Sequence, residues 1–231
     1  MTYQHPYQHH DWQGKAIDLP IGKVVCIGQN YLDHIQEMHS KTAPEALFFI
    51  KPATALRSLA PEFAIPAERG AVHNETEIAV LIHKPLCNAT ESEVADAIWG
   101  YSLALDLTLR DVQAQLKQLG RPWEIAKGFD GACPLAGFVP AATIAAPQQL
   151  TFSLVVNGEH RQQGDAALMI RGITRMISEM SQWFTLQPGD VVLTGTPAGV
   201  GPLLAGDKLQ LKLQSGTDLL LDVQTSVSIR P

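Results

Sequence analysis

Cysteine is scarce in this 231-residue chain: Cys26, Cys87 and Cys133 are odd in number and widely scattered. Three such residues do not make a disulfide framework, and they fit reduced thiols in a cytoplasmic protein. Cys133 is a poor nucleophile candidate, because Pro134 follows it and neither a helix start nor a basic partner stands nearby. Basic runs and aromatic-plus-arginine stripes are missing and the net charge is −6, which argues against a nucleic-acid partner. No apolar run approaches the ~20 residues that span a bilayer, so no membrane partner is expected. The N-terminus has neither the basic start nor the apolar stretch of a signal peptide. Its histidines, His5, His9 and His10, have nothing beside them to complete a metal site. Residues 1–20 therefore read as a polar tail, followed by a single domain over 21–231. Phosphate-loop and dinucleotide fingerprints are also lacking.

What is there is enough apolar residue, 45% of the chain, to fill one sizeable core. Short strand-like runs dominate: Lys23–Ile27, Ala46–Ile50, the run from Glu75 to Ile82, Tyr101–Leu107, Thr151–Val156, Val191–Leu193, Lys208–Leu213 and Asp218–Val223. Asn157-Gly158 is a strong hairpin signal. Helical spacing marks Tyr31–Met38, Glu91–Ala97 behind a Thr90/Glu93 capping box, Thr108–Leu119, and a long stretch Asp165–Leu186. The methionines of that last stretch read as core or a subunit contact. Strands and helices do not alternate regularly, so the fold class is α+β, rich in β.

Glu75 and Glu77 lie two apart at the start of an apolar strand, which puts both carboxylates on one face. Read alone, such a pair is a solvated strand end. Buried, the two charges need a cation. Asp106, closing the apolar strand Tyr101–Leu107, is either a cap for the next helix or a third oxygen ligand. Three carboxylates suit Mg²⁺ or Mn²⁺ and leave positions for water and substrate. His73 shares their strand parity, as a supporting group or a surface residue. Lys127 is either a surface charge or, held near a metal, a stabiliser of an oxyanion. His34 and Glu37, three apart on a helix, form an imidazole–carboxylate pair suited to proton transfer. Arg110 and Gln113 are spaced to meet a substrate carboxylate one turn from Asp106. The turn from Leu193 to Gly201, with Thr196, is either structural or an anion cradle.

In order, Gly28-Gln29-Asn30-Tyr31 with His34 and Glu37, Phe48-Phe49-Ile50-Lys51-Pro52, His73-Asn74-Glu75-Thr76-Glu77, Ala104–Gln113, Lys127-Gly128-Phe129-Asp130 and Leu193–Val200 resemble the fumarylacetoacetate hydrolase family. The match covers about Lys23 to Leu213 and looks most like small single-domain acylpyruvases. The resemblance implies a β-roll fold and a homodimer. It assigns Glu75, Glu77 and Asp106 to Mg²⁺ or Mn²⁺. It gives Lys127, Thr196 and Gln113 to the keto-acid end of the substrate, and makes His34 and Glu37 a water-activating dyad on a closing segment. The activity expected first is hydrolysis of the C–C bond of acylpyruvates, giving pyruvate and a carboxylic acid. Oxaloacetate decarboxylation or tautomerisation, and isomerase or hydratase chemistry on a muconate-type dienoate, are the alternatives.

Overall fold

The computed structural model describes residues 7–39 and 44–230. The first half comprises β1 (Val24–Gly28), α1 (Leu32–Glu37), β2 (Leu47–Lys51), β3 (Leu56–Ser58), β4 (Glu62–Pro66), β5 (Val72–Asn74), β6 (Thr76–Ile82), α2 (Glu91–Ala97), β7 (Ile98–Leu105), β8 (Thr108–Leu109), α3 (Arg110–Gln118) and α4 (Glu124–Lys127). The second half comprises β9 (Cys133–Leu135), β10 (Val139–Pro140), β11 (Leu150–Val156), β12 (Glu159–Asp165), α5 (Ile173–Ser181), β13 (Val191–Leu193), β14 (Gly201–Pro202), β15 (Lys208–Ser215) and β16 (Asp218–Arg230). The chain is α+β and strand-rich, as expected from the pattern.

The largest sheet runs β2-β1-β13-β6-β7-β9-β3, with β10 also paired to β7. A second sheet runs β12-β11-β15-β16-β4, and β14-β5-β8 form a small third. β6 lies in the middle of the large sheet and is buried at every position, which is why it reads as a continuous apolar run rather than an alternating one. Ile78, Val80 and Ile82 join the main core with Met176, Ile177 and Met180 of α5. Ala79 and Leu81 face a second core with Cys26, Leu135 and Phe138. Each such buried aliphatic side chain contributes about 1.5–3 kcal/mol relative to exposure.

Three expectations need correction. The first twenty residues are not a loose tail over their described part: Tyr7 and Ile17 are buried in the second core, and His9 is sealed with its Nε2 3.0 Å from the Gly189 carbonyl. Apolar residues spaced along a polar stretch cover the open face of the large sheet. His5 lies outside the described residues. The long helix Asp165–Leu186 shrinks to Ile173–Ser181. Asp165 instead ends β12 and caps the amide of Ala167 at 2.9 Å, while the amides of Ile170 and Arg171 donate to Asn30. Thr108 and Leu109 form a strand, and the helix begins at Arg110.

Other expectations hold. Thr90 and Glu93 make the reciprocal capping box. Asn157 and Gly158 both have positive φ, 53° and 85°, the turn that matches strand twist between β11 and β12. The α5 methionines are core. Cys26 and Cys133 are buried and Cys87 is exposed. Burial pushes the Cys133 thiol up to about 12, which leaves it an unreactive core residue. Among the described residues no helix is long and apolar enough to cross a membrane.

Candidate functional site

The acidic centre follows from strand register. β6 and β7 are antiparallel, with Thr76 opposite Leu105 and Glu77 opposite Ala104. One step further, the Asp106 amide donates to the Glu75 carbonyl at 2.8 Å, so Glu75 and Asp106 stand opposite each other just past the ladder. The extended chain breaks at Glu75, between β5 and β6, yet its carboxylate still converges with that of Glu77. One ligand oxygen from each of Glu75, Glu77 and Asp106 lies within 4.8 Å of the others, and all three residues are buried.

Cations answer this charge. The Lys127 ammonium, 3% exposed at the end of α4, lies 2.7 Å from Glu75 Oε2 and 2.6 Å from Asp106 Oδ2. Arg110 places one nitrogen 2.5 Å from Glu75 Oε1 and another 2.8 Å from Gln113 Oε1. Lys51, fully buried at the end of β2, lies 2.6 Å from Asp106 Oδ1 and donates to the carbonyls of Leu107, Lys127 and Ala132. Asp106 is thus no helix cap; its carboxylate is held between two lysines.

Burial disfavours the Glu75 carboxylate, but Lys127 and Arg110 outweigh it and hold this group well below the usual carboxylate range. Glu77 goes the other way: burial, then Asp106 and Glu75, push it well above that range. Lys127 and the Gly195 amide, 2.6 Å from Oε2, work against that rise. Burial would strip Lys127 of its proton, yet Asp106 and Glu75 together keep it firmly cationic. Glu77 is thus the one acid of the three with no ion pair among the described residues, and the donors of the centre are all hard oxygens. That donor set fits a divalent Mg²⁺- or Mn²⁺-type ion.

The turn after β13 does cradle anions, and they are the protein's own. Gly195 serves Glu77, while the Gly199 amide donates to Glu37 Oε1 at 2.9 Å and the Ala198 amide to Asp33 Oδ2 at 3.3 Å. Both glycines have positive φ, 93° and 97°, and a Cβ at Gly199 would fall 1.9 Å from the Arg161 carbonyl oxygen. The Thr196 hydroxyl donates to the Thr76 carbonyl at 2.9 Å and accepts from Gln162 Nε2 at 2.8 Å. Gln29, at φ 61°, reverses the chain between β1 and α1 and aims that helix at this turn. His34 Nδ1 then lies 3.4 Å from Glu37 Oε2.

A cavity of about 40 Å³ collects the site, lined by Glu75, Glu77, Asp106, His34, Arg110, Gln113, Lys127, Thr196 and Lys117. Space on that scale holds an ion and a water or two. His73 is half-buried, with Nδ1 unpartnered among the described residues; it does not line the cavity.

Residues 23–225 match the fumarylacetoacetate (FAA) hydrolase C-terminal family. The chain belongs to this family. It is 58% identical to oxaloacetate tautomerase YcgM of Escherichia coli over 88% of its own length and 93% of the relative's. It is 39% identical to the mitochondrial oxaloacetate tautomerase FAHD1 of Homo sapiens, over 87% and 91%. Among solved structures, it superposes on fumarylpyruvate hydrolase from Pseudomonas aeruginosa, in complex with Mn²⁺ and pyruvate. The TM-score is 0.90 at 33% identity, covering 100% of this chain and 99% of the other.

Of the site residues expected from sequence, all but Glu37 line this cavity, and Glu37 meets it through His34. It adds three that the sequence reading passed over. Lys51 carried a signal, a lone lysine closing an apolar strand. Gln162 carried none, since it comes from the second sheet; its Oε1 accepts from Asn74 Nδ2 and the Thr76 amide, each at 2.9 Å. Lys117 lies on the helix face of Arg110 and Gln113, one turn beyond Gln113.

Proposed function

We propose that this protein interconverts the enol and keto forms of oxaloacetate in a reaction that depends on Mg²⁺ or Mn²⁺. The observation that carries this reading is that His34, paired with Glu37, and the Glu75, Glu77 and Asp106 carboxylates line one cavity, in a chain 58% identical to an oxaloacetate tautomerase. Glu75, Glu77 and Asp106 would hold the ion, which supplies Lewis-acid stabilisation of negative charge developing on the substrate. Formal charge supports the match. Glu75, Glu77 and Asp106 stand among Lys51, Lys127, Arg110 and Lys117, so with all seven ionised a bound divalent ion leaves an excess of positive charge to meet a dianionic keto acid.

The protein's own groups move the proton. In the keto-to-enol direction His34 takes a proton from C3 of the substrate, and Glu37 steadies the imidazolium that results. The electron pair of the broken C–H bond forms the C2–C3 double bond, and the carbonyl electrons pass to O2. Lys127, firmly cationic, donates a hydrogen bond to that oxygen. The imidazolium then gives up its proton to O2, directly or through a water, which leaves His34 neutral, and the reverse sequence regenerates the ketone. The dry wall of Ile27, Leu47 and Phe49 limits water at the carbanion centre.

Hydrolysis of an acylpyruvate, the first expectation from sequence, is the second reading; the same pair would then activate water. The likeness to fumarylpyruvate hydrolase favours it at 33% identity, below the 58% that favours oxaloacetate chemistry. The test is to follow the ultraviolet absorbance of enol-oxaloacetate with added Mg²⁺ or Mn²⁺ while measuring pyruvate by a coupled assay. Accelerated equilibration without matching pyruvate release is expected. Pyruvate release in step with the absorbance change would indicate decarboxylation, and faster cleavage of acetylpyruvate would restore the hydrolase. The homodimer implied by the family is part of the proposal, and sedimentation velocity tests it.

A further inference from the structure

We propose that Lys117 is the specificity residue for the remote carboxylate of the substrate, selecting dicarboxylic keto acids over monocarboxylic ones. This rests on the reading of the site given above. Among the described residues four lysine or arginine side chains stand in or around the cavity, and three are already matched. Lys51 is sealed against Asp106 and backbone carbonyls and does not line the cavity. Lys127 lies between Glu75 and Asp106. Arg110 is held by Glu75 and Gln113. Lys117 lines the cavity, and among the described residues no carboxylate lies within the 4.0 Å of an ion pair.

Lys117 is an exposed residue, and an aromatic contact orients its ammonium. The ammonium lies 5.0 Å from the centre of the Trp123 ring, a cation–π contact. Trp123 is itself held against Phe49, ring centres 6.0 Å apart. Gly120, at φ 61°, turns the chain after α3, and the Arg121 amide donates to the Leu116 carbonyl, which returns Trp123 towards the helix. Burial and the neighbouring Arg110 lower the proton affinity of Lys117. Glu75 offsets this only in part and stands beyond ion-pair distance, and a cation so placed is stabilised when an anion arrives. Oxaloacetate brings two carboxylates. The one beside the keto group belongs at the metal-ligand end, and the other, at the far end of the molecule, meets the unmatched cation on the same cavity wall.

The experiment compares wild type, Lys117→Met and Lys117→Arg, all Mg²⁺-loaded, by calorimetric titration with oxaloacetate and with pyruvate as the monocarboxylate probe, alongside steady-state kinetics. For Lys117→Met, oxaloacetate affinity should fall and KM rise about ten-fold or more, the loss of one charge-assisted hydrogen bond. kcat should stay within about two-fold, as expected for uniform binding, and pyruvate affinity should not change. Lys117→Arg should recover most of the oxaloacetate affinity. Equal losses for both ligands, or no loss for either, would overturn the assignment. If wild type prefers oxaloacetate to pyruvate and Lys117→Met abolishes that preference, yet the enol signal does not equilibrate, the proposed reaction fails while the Lys117 assignment stands.

Discussion

Lys127 and Asp106, 21 positions apart, meet directly: the ammonium lies 2.6 Å from Oδ2, inside the protein. The same ammonium reaches Glu75 at 2.7 Å, so one lysine ties together two of the three carboxylates. Replacing it with Met removes the hydrogen-bond donor for the substrate oxyanion and leaves two acids short of a partner. Turnover should drop by about 100-fold or more. Metal-free Lys127→Met should also lose about 3–5 kcal/mol of stability, the cost of breaking a buried pair. Added Mg²⁺ should restore much of that loss, since a divalent ion takes over the charge. Denaturant titrations with and without Mg²⁺ check both parts.

Metal affinity should rise with pH. Glu77 holds its proton more tightly than an ordinary carboxyl, because it is buried beside Asp106 and Glu75. Binding must displace that proton wherever it is present, so affinity is weaker below the raised value and stronger above it. Calorimetry at mildly acidic and mildly alkaline pH, in buffers of different ionisation enthalpy, should show proton release that fades as pH climbs. A pH-independent affinity would contradict the position given to Glu77.

His34 should separate chemistry from metal binding. His34→Asn removes the imidazole that moves the proton but none of the three carboxylates, so kcat for enol–keto exchange should fall by about 100-fold or more while Mn²⁺ affinity is kept. Mn²⁺ titration followed by electron paramagnetic resonance reads the second quantity. A parallel fall in both would show that His34 shapes the metal site instead.

Gly195 should be intolerant of a side chain. Its φ is 93°, and an added Cβ would lie 2.8 Å from the Asn30 Cβ. Gly195→Ala should cost about 1–3 kcal/mol from strain and pull the amide away from Glu77, weakening metal affinity. Thermal denaturation with and without Mn²⁺ should show a smaller metal-induced shift than in wild type.

Much of this was legible in the sequence because it depends on local rules. The continuous apolar run after Glu75 marks a strand covered on both faces, and the Thr90/Glu93 box and Asn157-Gly158 turn act within a few residues. The helix Asp165–Leu186 failed because its spacing was genuine only for the α5 part; the rest is held by Asn30, 141 positions away from Arg171. The polar appearance of residues 7–17 hid Tyr7 and Ile17, whose burial depends on a sheet face that local pattern does not reveal.

The sequence by itself determined the ligand chemistry: three carboxylates, a paired imidazole, lysines and a Gly-rich turn, in an order that resembles one family. The tertiary structure alone decided how those charges are shared. Register across β6 and β7 set Asp106 against Glu75. Lys51 and Lys127 arrived from separate elements to hold it, and Lys117 was left over an indole with no ion pair among the described residues. Ion pairing depends on distances of a few ångströms between residues far apart in the chain, and only folding fixes those distances.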